Sequence, residues 1–206
     1  MKKIFIIIII VAIYYIFFDK KKENFSVKYS LANTSKNAKY YDDRKGFLYY
    51  KKCINILQEL SSYNQSIIDV GGWKGDFIKN LHFFNDRTVT DLHKKPTNFP
   101  SNVKFISGDF TKIIFNRKYD IVTCMQVLEH IPHNKIHKFT QKLFNLGKTV
   151  IISIPYKWNK NFCKYHIHDP VDEHKLYKWT KRIPNKLYLV REKNKTERLI
   201  AIYYKD

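Results

Sequence analysis

Residues 66–76 read Ser-Ile-Ile-Asp-Val-Gly-Gly-Trp-Lys-Gly-Asp. Ile67, Ile68 and Val70 are strand formers with one acid, Asp69, set among them. Gly71, Gly72 and Gly75 follow, and the spacing predicts a helical run from Asp76 to His82. A strand that opens through a glycine turn onto a helix N-terminus lets backbone pass close to a nucleotide-like ligand. The same pattern suits an ordinary strand-to-helix turn, so residues further along the chain have to decide between the two.

Downstream, short apolar runs alternate with helical or turn segments, the organisation of an α/β fold. Strands are expected over Ile67 to Val70, Thr88 to Thr90, Val103 to Ile106, Asp120 to Met125 and Thr149 to Ile154. A further pair, Leu187 to Arg191 and Arg198 to Tyr204, flanks Glu192-Lys-Asn-Lys-Thr196, which suits a hairpin turn. Together these imply a mostly parallel sheet with an antiparallel edge. Upstream, Phe47, Tyr50, Ile54, Leu57 and Leu60 recur at steps of three or four and predict an amphipathic helix on the sheet edge. Tyr40, Tyr41 and Arg44 at its start are candidates for a pocket wall or for plain surface.

In such a sheet, ligands bind beyond the carboxyl ends of the strands. The first strand ends in Asp69-Val-Gly71-Gly72, the second at Asp91, the third at Gly108-Asp109-Phe110 and the fourth at Gln126-Val-Leu-Glu-His130. Each acid alone could be a cap or turn former. Three of them at successive strand ends would gather around one ligand. Asp91 also stands where an acid that accepts from ribose hydroxyls belongs in a nucleotide-binding unit.

The ordered set Ile67 to Gly75, Asp91, Gly108-Asp109-Phe110, Tyr119 to Ile131 and Gly147 to Pro155 resembles the class I S-adenosylmethionine-dependent methyltransferases, Val127-Leu-Glu-His130 being its most telling piece. The resemblance implies a Rossmann-like three-layer sandwich over residues 39–206, with a mostly parallel seven-stranded sheet and a C-terminal antiparallel hairpin. It also implies S-adenosyl-L-methionine as cofactor. Asp69 would head the cofactor loop, Gly71, Gly72 and Gly75 would pass the methionine part, and Asp91 would hold the ribose. Asp109 and Phe110 would meet the adenine, and Gln126 would lie beside the methionine moiety. One departure is Trp73, where the family commonly has a further glycine. A nicotinamide cofactor would want G-x-G-x-x-G in this turn, which the chain does not supply.

Methyl transfer from a sulfonium already has a good leaving group, so positioning can supply much of the rate and a strong base is optional. If the acceptor is a hydroxyl, a histidine can take its proton near neutral pH. His166-Ile-His168-Asp169 lies in the segment after the fifth strand. His168 is the expected base, with His166 or Asp169 as its orienting partner. The alternative is an exposed turn at Asp169-Pro170 followed by a helix from Glu173 to Lys181, capped by Asp172-Glu173. Some methyltransferases of small RNA ends resemble Glu-x-x-Glu-His at the fourth strand end and bind a divalent metal there. Here Gln126 removes one hard anionic ligand. The two groups Glu129, His130, His133 and Cys163, His166, His168, His174 lack standard zinc spacing. No metal is expected, and Glu129 and His130 are expected to support the loop.

Residues 1–22 carry an apolar run, Ile4 to Phe18, between lysines. As a helix it would span roughly 22 Å, short of a hydrocarbon core of roughly 30 Å, a gap that snorkelling lysines and local thinning can close. No small residues mark a cleavage point, so the expectation is an uncleaved membrane anchor rather than a removed signal. Residues 23–38 read as a linker. The lysine cluster after the run favours a cytoplasmic domain. Three scattered cysteines among 206 residues exclude a disulfide framework. The 38 basic against 18 acidic residues, a net +20, favour acidic partners, but the excess is diffuse and not blocked into a patch. The reading is a membrane-tethered methyltransferase acting on oxygen of a small-molecule, glycan or lipid-linked acceptor. Its alternatives are an RNA methyltransferase, which makes nucleic acid the second-ranked partner, and a non-catalytic binding module.

Overall fold

A computed structural model describes residues 46–62 and 65–205. The expected anchor at 1–22, the linker at 23–38 and the candidates Tyr40, Tyr41 and Arg44 lie outside the described residues. Among the described residues no helix is long and apolar enough to cross a membrane.

Seven strands form one sheet: β1 (Ser66–Val70), β2 (Asp86–Asp91), β3 (Lys104–Ser107), β4 (Tyr119–Met125), β5 (Gly147–Pro155), β6 (Lys186–Arg191) and β7 (Glu197–Tyr204). Their spatial order is β3-β2-β1-β4-β5-β7-β6. The pairings from β3 through β5 are parallel, while β7 runs antiparallel between β5 and β6. The chain moves outward from β1 to β3 and then restarts on the other side of β1, so the switch point lies between β1 and β4.

Among the described residues three helices flank the sheet: α1 (Leu48–Leu60), α2 (His133–Leu146) and α3 (Glu173–Thr180). Both faces of the central strands are covered, and their runs are therefore apolar in succession rather than alternating. Ile67, Ile121 and Ile151 pack with Tyr49, Cys53 and Leu57 of α1 and with Phe77, Leu81 and Phe84. Their neighbours Ile68, Val122 and Ile152 face Phe139 and Leu143 of α2 and Leu176 and Trp179 of α3.

Two expectations about helices change. The run from Asp76 to His82 holds only a 3-10 turn, Ile78–Asn80. The side-chain amide of Asn80 donates to the Asp76 carbonyl at 2.7 Å, the acceptor its own backbone N–H would use in an α-helix, and that N–H turns to Phe77 O instead. On α1 the buried face is Tyr49, Tyr50, Cys53, Ile56 and Leu57, rotated from the expected stripe, with Phe47, Ile54 and Leu60 at its margin. Helix α3 starts as expected, the Asp172 side chain accepting from Lys175 N, and stops at Lys181 in the left-handed conformation. The hairpin turn also forms where expected, with Glu192 N donating to Thr196 O at 2.8 Å.

Candidate cofactor and acceptor site

At the switch point Asp69 stands level with Val89 on β2 and Thr123 on β4. Its carboxylate is buried and accepts a hydrogen bond from the Thr123 hydroxyl at 2.7 Å. The glycine loop then folds over it. Gly71 (φ +80°) donates its N–H to Thr90 O at 2.8 Å, and a Cβ there would stand 2.5 Å from Val127. A Cβ on Gly72 would stand 2.5 Å from Asp69 Oδ2, and one on Gly75 (φ +72°) would stand 2.8 Å from the Phe99 ring. All three glycines are therefore required by close packing, two of them also by backbone conformation.

Asp91 closes the loop from the β2 end. Its Oδ2 accepts from Trp73 N at 2.9 Å, and its Oδ1 accepts from His93 N at 2.9 Å and contacts His93 Nδ1 at 2.8 Å. Three of its acceptor sites are thus engaged, leaving about one on Oδ2 for a ligand hydroxyl. Trp73, the departure from the family's glycine, adopts φ +41°, the region a glycine takes without cost. Its indole lies 6.5 Å from the His93 ring, with Lys74 Nζ 4.5 Å above it.

Asp109 works as a turn former as well as a strand-end acid. Its Oδ1 accepts from Thr111 N at 2.9 Å and Thr111 Oγ1 at 2.7 Å, and the Thr111 hydroxyl is the main reason its carboxyl is held below the usual range. Phe110 is buried and packs its ring against Phe139 at 4.8 Å, so its side chain belongs to the core and is not presented to a ligand. Gln126, at φ +57°, bonds through its backbone N to Ser153 O at 3.0 Å and through Nε2 to Ser153 Oγ at 3.2 Å.

The segment after β5 does sit over this end of the sheet. Lys157 N bonds to Val171 O at 2.8 Å across its base, and Ile167 N bonds to Glu129 O at 3.0 Å. Its histidines are arranged differently from the expectation. Asp169 pairs with His166, Oδ2 to Nδ1 at 2.7 Å, whereas His168 Nε2 donates to Ile131 O at 2.7 Å. His168 is only 3% exposed and its Nδ1 is buried without a hydrogen bond. Burial lowers its pKa and keeps the ring neutral. The expected base is a packed histidine, and the oriented one is His166.

The two histidine groups read separately in the sequence interleave in space. His130 meets His166 with ring centres 4.8 Å apart, and His133 meets His168 at 4.1 Å. Glu129, His130 and His166 each offer a ligand atom, all within 4.8 Å of one another, so the residues that could hold a metal come from both groups. Sequence reasoning gave no role to the side chains of Thr123, Val127, Phe99 and Ser153, which shape the site. Each acts through a contact with another segment of the folded chain, which its own position in the sequence does not show.

No protein-family model matches the chain, and no curated protein matches it. Solved structures do. A Burkholderia thailandensis 1,6-didemethyltoxoflavin-N1-methyltransferase with bound 1,6-didemethyltoxoflavin and S-adenosylhomocysteine is similar with a TM-score of 0.65 at 13% identity, over 80% of this chain and 81% of that one. Magnesium protoporphyrin IX methyltransferase from Synechocystis PCC 6803 with bound S-adenosylmethionine gives 0.59 at 16%, over 77% and 78%. The small RNA methyltransferase HEN1 gives 0.61 at 18%, over 87% of this chain and 27% of that one. With the sheet order, the antiparallel β7 and the glycine loop at the switch point already in place, this likeness assigns the chain the fold of the class I S-adenosylmethionine-dependent methyltransferases.

Proposed function

We propose that the chain is a methyltransferase that binds S-adenosylmethionine across the C-terminal ends of β1, β2 and β4. The observation that carries this reading is the loop Gly71 to Gly75. Positions 71, 72 and 75 have no room for a side chain, and Asp91 holds the loop by accepting from the Trp73 N–H. A glycine turn beside a carboxylate at the switch point suits a nucleoside with an amino-acid tail. The ligands of the similar structures agree with it. With His168 packed away, positioning of the acceptor against the sulfonium supplies the catalysis, on the order of 7–11 kcal/mol at best.

The acceptor is an oxygen of a small-molecule, glycan or lipid-linked substrate, and the segment after β5 supports that choice. It exposes Phe162, Tyr165 and Ile167 among Lys157, Lys160 and Lys164, a surface that pairs apolar chains with anionic groups. RNA is the second reading, favoured by the net charge of +20. Calorimetry on the full-length chain in mild detergent tests the cofactor: S-adenosylhomocysteine binds one to one, and Asp91→Asn weakens it at least tenfold. Undiminished affinity in that variant refutes the placement. Transfer of a labelled methyl group to lipid-linked glycan or to RNA then separates the acceptors.

A further inference from the structure

We infer that residues 157–167, in the segment after β5, form a docking surface for an anionic lipid bilayer. Seven large hydrophobic side chains are exposed among the described residues, and three of them fall within six positions here: Phe162, Tyr165 and Ile167, at 59%, 63% and 51%. Lys157, Lys160 and Lys164 are exposed in the same stretch, and residues 156–168 contain no acid. Single apolar side chains scattered over a surface are ordinary, but a cluster of them among charges of one sign marks a place of contact.

An ordered frame holds these side chains outward. Lys157 N bonds to Val171 O at 2.8 Å and Ile167 N to Glu129 O at 3.0 Å, which closes both ends of the segment. Between them Phe162 N bonds to Asn159 O at 3.0 Å, His166 N to Cys163 O at 3.1 Å, and Tyr165 O meets His130 Nδ1 at 2.9 Å. Trp158 turns inward, 6% exposed, with Phe162 at 4.9 Å and His166 at 5.4 Å from its ring. Several backbone groups of the segment are thus satisfied within the protein, as entry into an apolar interface requires.

Composition selects the bilayer among possible occupants. Aromatic and aliphatic tips enter the boundary between headgroups and acyl chains, while lysines keep their ammonium groups at the anionic headgroups. RNA would stack bases on Phe162 and Tyr165 but leaves Ile167 without a role. A second copy of the chain would bring the same lysines against these. Stable attachment to a membrane takes two signals. The apolar run Ile4 to Phe18 in the sequence offers one, and this surface offers the other. Because Ile167 is bonded to Glu129, in the turn that leaves β4, docking presents the C-terminal ends of the strands to the bilayer, where a lipid-linked acceptor is held. That last step rests on the methyltransferase reading, and the docking itself does not.

Spin labelling of the full-length chain tests the surface. Ile167→Cys in a Cys163→Ser background carries the nitroxide, Cys53 and Cys124 being buried. Asn85→Cys in the same background, exposed just before β2 at the opposite end of the sheet, is the control. The expected result with vesicles of phosphatidylcholine and phosphatidylglycerol is that the label at position 167 gains contact with dissolved oxygen and loses contact with a water-soluble nickel chelate, while the label at position 85 does not change. Lys160→Gln and Lys164→Gln, both at exposed side chains, each lower the ratio of docked to free label about fivefold. A label at position 167 that stays as open to the chelate with these vesicles as in buffer overturns the inference. Protection of that label by single-stranded RNA, or by raised protein concentration, but not by vesicles also overturns it. S-adenosylhomocysteine affinity is measured in the same samples, so failure of docking and failure of the methyltransferase reading are seen separately.

Discussion

Gly72 has no room for a side chain because the protein's own buried carboxylate fills the space. Asp69 Oδ2 would lie 2.5 Å and Val89 Cγ1 3.1 Å from an added Cβ. Neither can retreat, since Asp69 is held by Thr123 and Val89 sits in the core. Gly72→Ala therefore lowers stability by roughly 1–3 kcal/mol, the usual result of overpacking, and displaces the loop so that S-adenosylhomocysteine binds more weakly. Urea unfolding with calorimetry checks both, and an unchanged midpoint contradicts the packing argument. The glycines themselves were legible in the sequence, because no other residue type tolerates such approach. Their partners were not, since Asp69, Val127 and Phe99 meet them through the folded chain. Trp73 shows the opposite case: the sequence marks it as a departure, and the structure gives it a positive φ that a glycine adopts without cost while its N–H serves Asp91.

Helix α1 carries no capping side chain of its own, and its N-terminus is served from the far end of the chain. Glu192, in the β6–β7 turn, accepts from Leu48 N at 2.9 Å and Tyr49 N at 3.1 Å. The same carboxylate stands 3.6 Å from Arg198 Nη1, and both side chains are 3% exposed. Arg198 in turn lies between the rings of Phe47, Tyr49 and Trp158, each within about 5 Å of the guanidinium. Removing the acid leaves a buried cation and two open amide donors. Glu192→Ala is expected to cost about 3–5 kcal/mol, the range for breaking a buried pair, and to loosen α1 before the sheet. Hydrogen exchange should show early opening of residues 48–57, and uniform loss of protection speaks against this linkage. The strands were legible because β-branched runs in a doubly covered sheet leave a plain signal. The contact that joins α1 to the hairpin was not, because Glu192 reads in sequence only as a turn residue. Likewise, the loop histidines were found by type, but which of them Asp169 orients depends on the path of residues 157–171 over Glu129.

Across the molecule, acid should act through a few depressed carboxylates at both ends of the sheet. Asp120, at the start of β4, accepts from Ser66 N and Ser66 Oγ, each at 2.9 Å, and from Lys148 Nζ at 2.8 Å, tying β4 to β1 and β5. The Lys148 bond, followed by those from Ser66, brings its pKa from 3.8 to about 2. Asp86 is also lowered, burial opposing the shift and Arg117 and Lys104 outweighing it, and Asp109 is lowered chiefly by Thr111. These groups stay ionised in the folded chain at pH values where the unfolded chain has begun to bind protons. Their stabilisation is thus present in full above about pH 4 and is lost as the pH falls toward about 2. Protonating other carboxylates adds to the net charge of +20 and its self-repulsion over the same interval. Urea midpoints measured from pH 7 to pH 2 should be flat at first and then decline. Asp120→Asn should be less stable than the parent chain at pH 7, with the gap closing between about pH 4 and pH 2 as the parent loses the same charge. A gap that persists at pH 2 assigns the effect to lost packing at the strand start and not to the ionised carboxylate.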